Sequence, residues 1–441
     1  MTRQVRCCTM AMQGCSEPPR FLPGAYSART LLLLAFLHCG KNLAVLFRLS
    51  LLQFLKWSIP GSLVPLYTVW LKDLQFDDDA VGLCCATQAV AIICLSPLAG
   101  QVADRWMRAD RLMALCAMLC GLDLFLLAEL QTPLAVLLAT LFFWTVCCSM
   151  LLMGTTICFR HLPRPDLQFG SVRMWGTAGW MVIGLLIGSW LSGLWIHHQQ
   201  QVPLTDAFRI GGLLSLVLSA YCLTLPPTLP QAKSPTGHWF APLQVARLLG
   251  NRAFLVYCLC LMGVCMTFPL TTQNTPLLLE QLGVERERLP GVLTLAQLSE
   301  LLLLALLPML LHHLGLRWTM LLGLSAWLLA LTILSIGQPI SLVIGSLSLN
   351  GLYITGFMIA GQIYANGLTS VDLRGSAQGL VSCLNGIGNL IGNLLASWLR
   401  KQGHGDVLLS FAVGAAITAL LLLVMVMGFR QPASVPRADP H

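Results

Sequence analysis

LTLAQLSELLLLALLP, residues 293–308, is apolar at nearly every position and carries one acid, Glu300, with Gln297 one turn before it. A helix that is hydrophobic all round belongs in lipid or in a deep core. Glu300 sits about nine residues into the apolar stretch 291–312, roughly 14 Å from its start at 1.5 Å per residue. That depth is near the middle of a bilayer, where an ionised side chain costs about 2.5–3.5 kcal/mol unless it is protonated or faces a polar cavity. An acid kept there has one of two uses, a functional site or a structural hydrogen bond between helices.

The whole chain shares this character. Of its 441 residues, 56% are hydrophobic and 10% charged, and the mean hydropathy is +0.76. A soluble domain carries roughly 25% charged residues. So little polar side chain cannot cover a globular surface, and lipid is the expected solvent. The net charge of +8 comes from scattered residues, with no basic run interleaved with aromatics, so no nucleic-acid partner is expected. Most of the seventeen cysteines fall in apolar stretches, among them Cys84, Cys85, Cys116, Cys120, Cys147 and Cys148, and read as small packing residues. There is no CxxC pair with metal-ligand spacing, no phosphate-binding GxxxxGK[ST] loop and no hydrolase constellation. No metal, no cofactor and no enzymatic activity are expected.

Apolar stretches of spanning length recur at 46–71, 80–102, 112–130, 133–158, 173–196 and 206–225, then at 252–277, 291–312, 318–337, 339–365, 376–398 and 406–428. The polar segment LPPTLPQAKSPTGHW, 225–239, divides them. The expected organisation is an all-α polytopic membrane protein of twelve transmembrane helices in two six-helix halves. An N-terminal tail covers 1–45, the first bundle 46–225, a cytoplasmic linker 226–251, the second bundle 252–428 and a C-terminal tail 429–441. LLLLAFL, 31–37, is too short to span and is left in the tail. With both termini cytoplasmic, Arg105, Arg108, Arg111, Arg160, Arg164, Arg317 and Arg374 fall on the inner face, as loop charge favours.

The two halves echo each other. IGLLIGSWLSG (183–193) ends the fifth stretch and IGNLLASWLRK (391–401) ends the eleventh. SPLAGQVADRW (96–106) follows the second and LPMLLHHLGLRW (307–318) the eighth. Matches six stretches apart fit an internal duplication, with a solute site between the repeats.

Several residues carry candidate chemistry. In VRMWGTAGW, 172–180, Arg173, Thr177 and Trp180 recur at i, i+4 and i+7, a single stripe. They offer a fixed charge, a hydroxyl and a flat platform. Gly176 and Gly179 thin the adjoining face for a packed neighbour. An anchoring role at the inner interface is the alternative for Arg173. In GQVADRWMRADR, 100–111, Gly100, Asp104 and Arg105 form a candidate conformational gate, against the alternative of an ordinary positive-inside turn. Lys56 interrupts the first stretch, with Asp123 in the third as a candidate partner. Asn350 lies in the tenth stretch. Asn385, Asn389 and Asn393 recur every four residues in the eleventh, a pattern that more often serves helix packing.

LQFLKW (52–57), VADRW (102–106), RMWGTAGW (173–180), QLSE (297–300) and RGSAQGL (374–380), in this order along the chain and at similar spacing, resemble the bacterial nucleoside:proton symporter family of the major facilitator superfamily. The resemblance runs from about residue 46 to about 428. It implies proton-coupled uptake of nucleosides or related ribosyl solutes by alternating access, across the bacterial inner membrane, by a monomer in the lipid bilayer. It places the substrate at Arg173, Thr177, Trp180, Gln297, Glu300 and Asn350, with Glu300 also the candidate for the coupling proton. The chain departs from the family at the seventh stretch, where Thr267 and Leu270 stand in place of a Gln and an Asn. It departs again at the tenth, where Ile354 and Thr355 replace an aromatic and an Asp. A site that loses polar partners loses affinity for its polar ligand. The alternatives are a facilitator of a different small solute, such as a sugar or metabolite, and a degenerate protein that does not transport.

Overall fold

The computed structural model describes residues 28–95, 107–163, 165–193, 202–229, 250–368 and 374–429, with side chains from residue 43. Among these residues every regular element is helical. The helices are α1 (Ala28–Asp73), α2 (Asp78–Val90, continued by a π-turn over Ala91–Leu95), α3 (Ala109–Leu127), α4 (Pro133–His161), α5 (Pro165–Leu191) and α6 (Asp206–Cys222). After the linker come α7 (Arg252–Gln281), α8 (Leu289–Ile336), α9 (Ile340–Ser346), α10 (Leu349–Tyr353), a π-segment (Ile354–Ile359), α11 (Ala360–Gly367), α12 (Arg374–Gln402) and α13 (Leu408–Gly428). Among the described residues, eight helical segments are long and apolar enough to cross a membrane.

Local chemistry sets the boundaries. Asp77 caps α2, its Oδ1 accepting the Ala80 N–H at 2.9 Å. Asn251 caps α7 by accepting from Ala253 at 3.0 Å. Inside α8, Gly315 takes φ 74° and ψ 166°, open only to glycine, and so breaks the helix between the eighth and ninth apolar stretches. The first helix begins at Ala28, eighteen residues before the expected start at 46, so the apolar run 31–37 belongs to α1.

Helices before residue 230 pack mainly on one another, as do those after 249: α1 on α5 and α6, α3 on α4 and α6, α7 on α12 and α13, α8 on α10 and α13. The most extensive pairings between the two groups are α2 with α12, α5 with α8, and α1 with α7. Large apolar side chains such as Leu126, Leu302, Leu420 and Leu423 remain exposed on the outside, the pattern of a lipid-facing surface.

Polar bonds between the groups concentrate at one end, called here the Asp78 face. Arg400 is buried and donates through Nε to Asp78 at 3.0 Å and through Nη1 to Gln273 at 2.9 Å and Asn274 at 2.7 Å. Lys72 joins Asp78 at 2.8 Å, and Arg286 joins Asp73 at 2.8 Å. Lys401 pairs with Asp79, and the Ser397 hydroxyl donates to the Asp78 carbonyl.

Candidate functional site

α5 positions the first part of the site. The spacing of Arg173, Thr177 and Trp180 puts them on one stripe, and the small residues beside it let α1 close in. A Cβ at Gly179 would lie 2.2 Å from the Phe54 carbonyl oxygen, and one at Gly176 would lie 2.4 Å from Trp57. This close approach lays the Arg173 guanidinium over the Trp57 ring, 4.3 Å from its centroid, and Trp57 stands 6.4 Å from Trp180. Trp57 has no assigned role in the sequence reading; its only signal there was its place beside Lys56 in LQFLKW.

α8 supplies the second part. Arg173 Nη1 donates to Thr177 Oγ1 at 3.5 Å, and Thr177 Oγ1 donates to Glu300 Oε1 at 3.3 Å. Thr177 therefore stands between the guanidinium and the carboxylate, and the chain of bonds crosses from α5 to α8. Both contacts are long, so both charged groups keep bonding capacity for a ligand. Glu300 is held from behind by α10, where a Cβ at Gly351 would lie 2.3 Å from the Glu300 backbone nitrogen.

The space between the two groups of helices is a file of cavities. One, of about 530 Å³, is lined by Arg173, Glu300, Gln88, Phe268, Tyr353 and Asn389 among others. Toward the Asp78 face a second, about 220 Å³, is lined by Trp180, Gln297, Asn350 and Trp327, and it shares Gln88, Phe268 and Asn389 with the first. Gln297 Oε1 and Asn350 Oδ1 are buried there without a hydrogen-bond partner. Phe268, Trp327 and Tyr353 form an aromatic wall, with Trp327 stacked on Tyr353 at 4.3 Å. Gln88 escaped the sequence reading, although a lone amide in an apolar helix was a readable sign.

Other candidates stand apart from the cavities. Thr267 is buried and accepts from Trp327 Nε1 at 2.9 Å, and Leu270 is buried in a small apolar cluster with Ala396 and Leu399. The neighbouring amides Gln273 and Asn274 are bound to Arg400, so neither replaces the family's seventh-helix pair. Thr355 is fully buried. Lys56 is buried too, but it donates to the Leu151 carbonyl at 3.1 Å and to Thr155 Oγ1 at 3.2 Å on α4, not to Asp123. Gly100, Asp104 and Arg105 lie outside the described residues. Just beyond them, Arg108 pairs with Asp110 at 2.8 Å, and Asp110 accepts the Thr228 N–H.

An all-helical membrane bundle with a charged, aromatic-walled cavity file between two helix groups defines a transporter. The solved structures agree on the fold. A crystal structure of the nucleoside transporter NupG superimposes with a TM-score of 0.74 and that of a point mutant with 0.78, each at 23% identity, covering 88% of this chain and 100% of the other. A bacterial homologue of the human lysosomal transporter Spinster, inward-facing and occupied, gives 0.65 at 14% identity, covering 88% and 95%. Among curated proteins, the nucleoside permease NupG of Escherichia coli (strain K12) is 25% identical over 371 residues, 79% of this chain and 86% of that one. The xanthosine permease of the same organism is 25% identical over 424 residues, 88% and 96%. The profile of the nucleoside H+ symporter family matches residues 43–434. The chain belongs to the nucleoside H+ symporter family and is a multi-pass protein of the bacterial inner membrane.

Proposed function

We propose that this protein accumulates nucleosides by proton symport, with the ligand held between α5 and α8. The chain crosses the membrane twelve times in two six-helix halves, α8 counting as two crossings and α9–α11 as one, and it works as a monomer. The observation that carries this reading is the Arg173–Thr177–Glu300 relay, which joins the halves through one hydroxyl. A ligand or proton that engages Glu300 changes the bond between the halves at the centre of the cavity file. Ribose hydroxyls suit Glu300 and Arg173, which supply an acceptor and donors. The base suits Trp180 and the Phe268 wall, with the free amides of Gln297 and Asn350 at its edge.

Glu300 is the proton carrier in this scheme. Glu300 takes a proton while the cavity is open outward, nucleoside binds, the halves rock, and both leave inward. The bonds at the Asp78 face seal the outside in the conformation described here. Gly100, Asp104 and Arg105 remain the candidate gate of the opposite face.

The test is uptake of labelled uridine and adenosine by cells lacking other nucleoside importers, with and without an uncoupler. Accumulation that the uncoupler abolishes is the expected result. Absence of uptake by protein shown to be in the membrane would overturn the nucleoside reading. It would favour a different small solute, in line with the buried, non-acidic Thr355 and the withdrawn Thr267.

A further inference from the structure

The asparagines of α12 stand where a solute would pass. Asn393 and Asn389 line the cavity nearer the Asp78 face, Asn389 and Asn385 line the central cavity, and Asn385 and Ser382 line a third cavity of about 230 Å³ beyond it. The third shares Ile92, Met358, Gln362 and Asn385 with the central one. The helix therefore presents one polar edge to the file, and the twelve residues from Ser382 to Asn393 span roughly 16 Å, eleven rises of about 1.5 Å.

Packing fixes that edge. A Cβ at Gly388 would lie 2.4 Å from the Met262 carbonyl oxygen, and one at Gly392 2.2 Å from that of Met266. The glycine face is thus pressed on the α7 backbone, and α12 cannot roll its asparagines away without losing that contact. The amides are also oriented. Asn389 Nδ2 donates to Asn385 Oδ1 at 2.8 Å, and Asn393 Oδ1 accepts from Gln273 at 2.7 Å. Among the described residues, Asn389 Oδ1 and Asn385 Nδ2 take part in none of these bonds, which leaves one acceptor and one donor on adjacent turns. At the far end the Tyr257 hydroxyl is fully buried, borders the third cavity and has no hydrogen-bond partner among the described residues.

We propose that the α12 edge is the wall of the translocation path, and that Asn385, Gln362, Ser382 and Tyr257 form a second subsite that receives a hydroxyl-bearing solute leaving the Glu300 site. This rests on reading the protein as a nucleoside carrier. Donors and acceptors one turn apart let hydroxyls exchange partners stepwise, so the solute is never stripped of all its bonds in an apolar passage.

The experiment compares Asn385→Leu and Tyr257→Phe with the parent protein, by uridine uptake into proteoliposomes and uridine binding in detergent. Turnover should fall about five-fold, the size of one lost hydrogen bond, while Kd stays within about two-fold because the Glu300 site is intact. Asn385→Gln, which keeps an amide, should restore much of the rate. Unchanged turnover in both variants overturns the proposal, as does a rise in Kd together with a fall in melting temperature and rate, which would mean a packing role. A readout independent of the solute is alkylation of Asn389→Cys by a water-soluble maleimide, in protein whose exposed Cys94 and Cys383, together with Cys7, Cys8, Cys15 and Cys39, are replaced by serine. Reaction is expected of a path-lining position, and protection from the reagent overturns the path even if uridine proves not to be the substrate.

Discussion

The roles proposed for Glu300 and Arg173 are separable although one hydroxyl links the two residues. Glu300→Gln keeps shape and a hydrogen-bonding end but removes the exchangeable proton. Proteoliposomes of this variant should exchange internal for external uridine yet fail to accumulate it under an imposed proton gradient; accumulation equal to the parent would remove Glu300 from the coupling step. Arg173→Ala removes the guanidinium that lies on Trp57 and reaches Thr177. The loss of a charge-assisted bond to the ligand should raise Kd for uridine about tenfold or more in calorimetric titration. The position of Arg173 was legible from its i, i+4, i+7 stripe. Its partner Trp57 was not, because spacing along α5 says nothing about which residue of α1 lies opposite.

At the scale of helices, contact without side chains is what holds the site in register. α10 meets α8 at Gly351, where a methyl group would collide with the Glu300 backbone at 2.3 Å. Gly351→Ala should therefore lower the melting temperature, with an overpacking cost of about 1–3 kcal/mol, and should weaken uridine binding because Glu300 moves. A variant that melts with the parent would show that α10 yields freely there. The break at Gly315 works differently, since its φ of 74° and ψ of 166° exclude a Cβ. Gly315→Ala should cost about 1–3 kcal/mol in a thermal or denaturant melt. The apolar stretches on either side of this break, 291–312 and 318–337, were readable in advance. The length of the first helix was not, because a seven-residue apolar run is too short to announce a span, while helix propagation across it needs no further apolar signal.

The whole molecule is latched at one end. Arg400, buried, binds Asp78 from the other helix group and Gln273 and Asn274 from its own. Alternating access requires that this latch open, and removing one partner of a buried ion pair is destabilising by about 3–5 kcal/mol for the state that contains it. Arg400→Gln should shift the population toward the state open at the Asp78 face. Hydrogen exchange of peptides covering 78–84 and 397–403 should then quicken in the membrane-reconstituted protein, while uptake falls. Unchanged exchange at both ends would mean that the latch does not set the conformational balance.

Composition and hydropathy by themselves determined that this chain lives in lipid as a helical bundle, because 10% charged residues cannot cover a soluble surface. Five short motifs taken together, from LQFLKW to RGSAQGL, indicated the symporter family, and helical spacing was enough to align Arg173, Thr177 and Trp180. Helical spacing defines a face but not its neighbour. The asparagine stripe of α12 reads equally as helix packing or as a pathway wall, and the glycines pressed on α7 turn it toward the cavities. The amides Gln273 and Asn274 stand free in the sequence, and the buried Arg400, more than a hundred residues away in the chain, takes both. A guanidinium buried that far from water has to bind whatever acceptors the packing brings to it, and packing is a property of the assembled helices rather than of any one of them.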